Sequence, residues 1–314
     1  MDLFYKKTDI DFMGIRKVTA CISVVIILLS IGFIFIKGLN WGIDFTGGYQ
    51  IQVSYKNTAN IPEIKKQLAA HELNGAEVIS FGSTRDIMIR LMPSHVKGKE
   101  ISADGETSQQ RLESKLKLIL GESATISSVN YIGPQVGQEL ATNGLLAMVV
   151  AMLCIMGYIA FRFEVKFAVS AGIALLHDPI VILGIFAAFG LEFNLTSLAA
   201  ILAVIGYSLN DTVVIYDRIR ENFRKMRKVS VNEIINRSVN DTLSRTIITS
   251  LLTLIVCVVL YLVGGPSIHE FSLALILGII IGTYSSVYIA GALSVVFGLK
   301  REDLLPPAPI KEDI

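Results

Sequence analysis

Four ionisable residues, His177, Asp178, Asp211 and Arg245, lie within or at the start of long apolar runs of this chain. Charged groups are costly in such surroundings, so each is a candidate for function. The chemistry they could do is proton exchange. For any carboxyl group, burial disfavours the ionised form and a neighbouring cation favours it, and the two together could bring an acid of reference pKa about 3.9 into a range where it takes up and releases a proton. Asp211 could be such an acid, with Ser208 and Asn210 close by as hydrogen-bond donors. Arg245 suits the cation, because its guanidinium stays charged. Plainer readings stand beside these: Asp211 as a structural hydrogen-bonding residue, Arg245 as a flanking charge at a helix end, and His177 with Asp178 as helix–helix bonding around Pro179.

The elements that must position these groups follow from composition. The 314 residues are 52% hydrophobic and only 18% charged, and the mean hydropathy is +0.59, which excludes an ordinary soluble domain. A hydrocarbon core about 30 Å thick needs about 20 apolar residues per helix. Six runs qualify: Val18 to Ile36, Leu140 to Phe161, a third after Lys166 to near Gly190, Asn194 to Tyr216, Thr246 to Val263, and Phe271 to Leu299. The first is too long for a signal-peptide core and has no small-residue cleavage site after it, so it reads as an uncleaved anchor. His177 and Asp178 then stand about 16 Å along the third helix from Lys166, and Asp211 about 10 Å before Arg218. Ala199, Ala203, Tyr207 and Asp211 recur every four residues, which predicts one helix face turned toward another helix. Gly278, Gly282, Ser286, Ala290 and Ser294 form a similar stripe along the sixth span, suited to close packing or, on a sharper reading, to a ligand path.

Flanking charge sets the orientation. Lys6, Lys7, Arg16 and Lys17 precede the first span, and Arg162 and Lys166 separate the second and third. Arg218, Arg220, Arg224, Lys225, Arg227 and Lys228 follow the fourth, and Lys300 and Arg301 the sixth, whereas "GLEFNL" and "GGPSIHE" carry no Lys or Arg. Cytoplasmic termini put every basic turn on one side. The expected organisation is a cytoplasmic segment 1–17, a first span 18–37, an extracytoplasmic α+β domain 38–138, spans two to six over 139–299 with a cytoplasmic loop 217–245, and a cytoplasmic tail 300–314. A net charge of +1 leaves no basic excess for nucleic acid. Cys21, Cys154 and Cys257 all fall inside spans, so no disulfide or zinc framework is expected. Nor is there a nucleotide loop, a catalytic triad or metal-ligand spacing, and an enzyme is the least supported class.

Within the polar stretch, "YQIQVSY" alternates as a strand and Pro62 opens the amphipathic helix "PEIKKQLAAHEL". Strands "AEVISFG" and "DIMIRLM" follow, joined by a turn at "STR", then the helix "TSQQRLESKLKLIL" and a last strand "ATISSVNYIG". This βαββαβ order is the ferredoxin-like pattern, with both helices on one face of an antiparallel sheet. His71 and His95 have no ligand partners at suitable spacing and read as solvated, and "PSHVKGKEISADGETS" reads as an exposed loop.

Three segments carry a resemblance: "GLNWGIDFTGG" after the first span, "GYSLNDTVVIYDRIRENFRK" at the end of the fourth, and "TLSRTIITS" opening the fifth. With the one-plus-five arrangement of spans, the chain resembles the SecD/SecF family of protein-export membrane proteins. The resemblance implies half of a resistance-nodulation-division-type transporter: a membrane six-helix bundle with an inserted domain, completed by a SecD-like subunit. It implies an inner-membrane location beside the SecYEG channel and accessory membrane proteins, with unfolded preprotein as substrate, lipid around the spans and no cofactor. The proton gradient is the energy source, and Asp211 and Arg245 match the charged pair of the family's proton path. One departure is Tyr216, where the family more often has Ser. The alternatives are half of a proton-coupled small-molecule exporter, which needs larger outside domains, and a scaffold, which gains nothing obvious from a buried acid.

Overall fold

The computed structural model describes residues 8–71, 73, 75–92, 108–121, 123–226, 228–265 and 268–300. His95 and most of the predicted loop around it, Lys6, Lys7, Arg227, Arg301 and the tail beyond it lie outside those residues. Among the described residues, six helices are long and apolar enough to cross a membrane. They are α1 (Arg16–Lys37), α5 (Pro134–Arg162), α6 (Val165–Phe189), α7 (Leu195–Lys225), α8 (Val231–Val263), and a sixth in which α9 (His269–Tyr284) passes through a π-helical stretch (Ser285–Ala290) into α10 (Gly291–Val296). Most apolar side chains of α1, of α5 and of α8 beyond Thr246 point outward, while α6 is buried along most of its length.

Polar residues after the fourth apolar run and before the fifth do not form the expected loop. Both helices run on, to Lys225 and from Val231, and pair with each other. Arg218 binds Asp241 at 2.8 Å, and Asn222 donates to Ser238 Oγ at 3.0 Å. Nothing about polarity forbids a helix once it has left the hydrocarbon, and paired side chains then stabilise it. Asn232, Asn236 and Asn240, four apart on α8, hold the start of α1 and the segment before it: Asn232 Oδ1 accepts from Arg16 Nη1 at 2.8 Å, Asn236 Oδ1 accepts from Phe12 N at 2.7 Å, and Asn240 both donates to and accepts from the Ile10 backbone.

The α/β domain is a four-stranded antiparallel sheet of β2 (Gly48–Tyr55), β3 (Glu77–Phe81), β4 (Ser83–Leu91) and β5 (Ala124–Ile132), in the spatial order β3-β4-β2-β5. The helices α3 (Ile61–Ala70) and α4 (Ser108–Leu120) bury Ile64, Leu68, Leu112 and Leu116 in one cluster with Ile51, Val53, Ile87 and Ile89 of the sheet. The predicted turn at "STR" belongs to β4; the chain reverses instead at Gly82, whose φ of 79° suits so short a connection.

Two short elements, absent from the sequence reading, fasten this domain to the spans. β1 (Asn40–Trp41) pairs in parallel with β6 (Glu192–Phe193) in the α6–α7 turn. Between β1 and β2 lies α2 (Ile43–Thr46), where Asp44 Oδ2 accepts from Leu195 N at 2.8 Å and so caps α7. Gly47 then passes against the start of α5 with φ of 70°; a Cβ there would lie 2.7 Å from Pro134 Cα.

Candidate functional site

The bundle has two apolar clusters, one around Leu175, Ile182, Ile201 and Ile205, the other around Phe167, Ile215, Ile219 and Val287. In sequence along α7 and the sixth span the intramembrane polar residues fall between the two, and on α6 His177 and Asp178 lie between Leu175 and Ile182 of the first. Asp178 is fully buried and is the hub of this layer. Its Oδ2 accepts from Ser208 Oγ at 2.7 Å and from Ser285 Oγ at 2.9 Å, and its Oδ1 faces His177 Nδ1 at 3.0 Å. Ser286 donates to the Ser208 carbonyl at 3.0 Å and shares a hydrogen bond of 3.0 Å with Thr212. The hub thus joins α6, α7 and the π-helical stretch, where a local change of pitch turns two successive serines into the interior.

Asp211 lies one turn beyond Ser208 on α7 and is furnished differently. It is 3% exposed, yet its Oδ2 has no hydrogen-bond partner. Ser208 is committed to Asp178 rather than to Asp211, and Asn210 points outward. Arg245 is exposed on α8; no ion pair or hydrogen bond joins it to Asp211 among the described residues, but its charge acts on the Asp211 carboxyl. His177 Nε2 and Thr246 Oγ1 are also buried without partners. Buried polar atoms are nearly always paired, so each of these is a place for a proton or a water to bind.

The predicted face of α7 needs correction. Ala199 and Ala203 are exposed, and with Gly206 and Asn210 they make an outward stripe of small and polar residues. A step of four residues overshoots a full turn by about 40°, so three steps place Ala199 about 120° away from Asp211. The stripe on the sixth span packs inward: a Cβ on Gly278 would lie 2.6 Å from Val204 Cγ1, and one on Gly282 would lie 3.0 Å from Ser208 Cβ and 3.5 Å from Asp178 Oδ2. Tyr216 is fully buried against Phe167, ring centroids 4.4 Å apart, and donates to the Ala290 carbonyl at 3.3 Å.

The family model for the C-terminal part of the protein export membrane proteins SecD/SecF matches residues 112–300, and that for the SecD/SecF GG motif matches residues 32–59. The chain belongs to the SecD/SecF family. The GG motif match runs from the end of α1 through β1, α2 and β2, and so includes the segment that clamps the α6–α7 turn. Among relatives, the protein translocase subunit SecF of Vibrio alginolyticus is 45% identical over 303 residues, covering 96% of this chain and 94% of its own. That of Pseudomonas aeruginosa is 43% identical, covering 95% and 94%. The crystal structure of SecDF, a translocon-associated membrane protein from Thermus thermophilus, superposes with a TM-score of 0.83 at 33% identity. It covers 94% of this chain, which spans 39% of that SecDF chain. With six apolar helices and these relatives, the chain is a multi-pass membrane protein.

Proposed function

We propose that this chain is a SecF-type subunit that, with a SecD-like partner, uses the proton-motive force to assist preproteins through the SecYEG channel. The observation that carries the reading is the buried Asp211 carboxyl, its Oδ2 without a hydrogen-bond partner, beside the charge of Arg245. A proton moving down its gradient neutralises Asp211, weakens its attraction to Arg245 and lets α7 and α8 shift; release restores that attraction. The outward stripe of Ala199, Ala203, Gly206 and Asn210 supports a partner, since small residues allow close helix approach. The relatives are named translocase subunits, which gives no support to a small-molecule exporter or to an enzyme. We read the α/β domain, from its strand order and paired helices, as ferredoxin-like and extracytoplasmic, with both termini in the cytoplasm of a bacterial inner membrane.

The test is preprotein translocation into inverted membrane vesicles, with and without an imposed proton gradient. Asp211→Asn, nearly isosteric, is expected to assemble normally and lose the gradient-dependent gain. Arg245→Met is expected to do the same, and Asp211→Glu to keep part of the gain. A full response of Asp211→Asn to the gradient would make Asp211 a structural residue and remove the proton path.

A further inference from the structure

The α/β domain meets the spans through an ion pair at one place among the described residues. Arg90, on β4, is buried to 6% exposure. Its guanidinium binds Glu77 on β3 at 3.3 Å and is in direct contact with Glu192 in the α6–α7 turn. Burial pushes the Arg90 guanidinium below its ordinary value, and the charges of Glu77 and of Glu270, near the start of α9, pull it back up. Arginine keeps its charge through such opposing effects. One cation therefore binds carboxylates of the sheet and of the α6–α7 turn, within reach of the charge at the start of the sixth span.

Glu192 is held by its own contacts as well. Its backbone pairs with Asn40 in the two-residue β1–β6 ladder, and Ser197 Oγ donates to its carbonyl at 3.4 Å. Gly42 leaves room for the carboxylate, since a Cβ there would lie 2.8 Å from Glu192 Oε1. Glu192 also lies between α6, which carries Asp178, and α7, which carries Asp211. Helices are stiff along their axes, so a displacement of either one near these acids reaches the turn that joins them. The turn passes it to Arg90, whose strand β4 lies in the middle of the sheet, between β3 and β2.

We infer that Arg90 and Glu192 form the joint that carries movement of the α6–α7 pair into the α/β domain, as positioning residues for energy coupling. The inference rests on the proton-driven reading above. Its test measures proton flux and preprotein translocation in parallel, in inverted vesicles holding the complete complex. Arg90→Gln and Glu192→Gln are each expected to assemble and to keep gradient-driven proton flux within about twofold of the parent, while the gradient-dependent gain in translocation falls about fivefold or more. Arg90→Lys, which keeps the charge but not the fork, is expected to fall between. If Arg90→Gln does not assemble, Glu192→Gln and Arg90→Lys are judged by the same two measurements. Unchanged stimulation in these variants would overturn the joint. So would parallel loss of flux and stimulation, since the pair would then be a brace for the proton site. Absence of proton flux in the parent would instead remove the underlying reading.

Discussion

Asp178 and Asp211 are both carboxylates buried in the same helix bundle, and their surroundings are opposite. Asp178 meets Ser208, Ser285 and His177. Asp211 keeps a buried oxygen with no partner. In low-dielectric surroundings a well-bonded acceptor fastens the groups that donate to it, whereas a bare one is costly until it takes up a partner or a proton. Burial is common to both acids; on the proposed reading, the count of committed donors is what separates a structural acid from a working one. The layer around Asp178 holds α6, α7 and the π-helical stretch in register, and Asp211 stands one turn away on a helix so held.

The largest expected effect comes from emptying the saturated site. Asp178→Ala leaves the Ser208 and Ser285 hydroxyls without their acceptor, and each buried unpaired group costs about 1–3 kcal/mol. The purified complex should lose thermal stability in mild detergent, and the yield of inserted protein should fall. Stability equal to the parent's would show that the hub fastens nothing. A smaller effect is expected at the packing behind it. Gly282→Leu forces a side chain against Ser208 and Asp178, at a cost of about 1–3 kcal/mol. It should loosen assembly while leaving Asp211 chemically intact, so co-purification of the partner subunit falls further than the gradient response of the complexes that do form. Normal yield and assembly would show that the stripe is not a tight interface.

Much of this arrangement was legible in the sequence, for physical reasons. Long apolar runs leave few alternatives to spanning helices, and an acid inside one stands out. Alternation in "YQIQVSY" and the helical spacing of Leu112 and Leu116 likewise reported the α/β domain. The donors to Asp178 were not legible, because Ser208 and Ser285 lie 30 and 107 residues away, respectively. Asn210, which the sequence set beside Asp211 as a donor, points outward because adjacent helix positions differ by about 100° in direction. The π-helical stretch shows no period of its own, and the β1–β6 ladder, two residues long, is too short to show alternation. The continuation of α7 and α8 beyond the apolar runs went unseen because polarity marks where hydrocarbon ends, not where a helix does.

The contrast between the two acids is tested most directly by watching the carboxyl groups themselves. Infrared difference spectra of the reconstituted complex, taken across an imposed proton gradient, would record which carboxyl gains a proton. The account predicts that the protonated-carboxyl band formed in the parent is absent from Asp211→Asn and persists in Asp178→Asn. A band that persists in Asp211→Asn and vanishes in Asp178→Asn would contradict it, and would move the exchangeable proton to the hub.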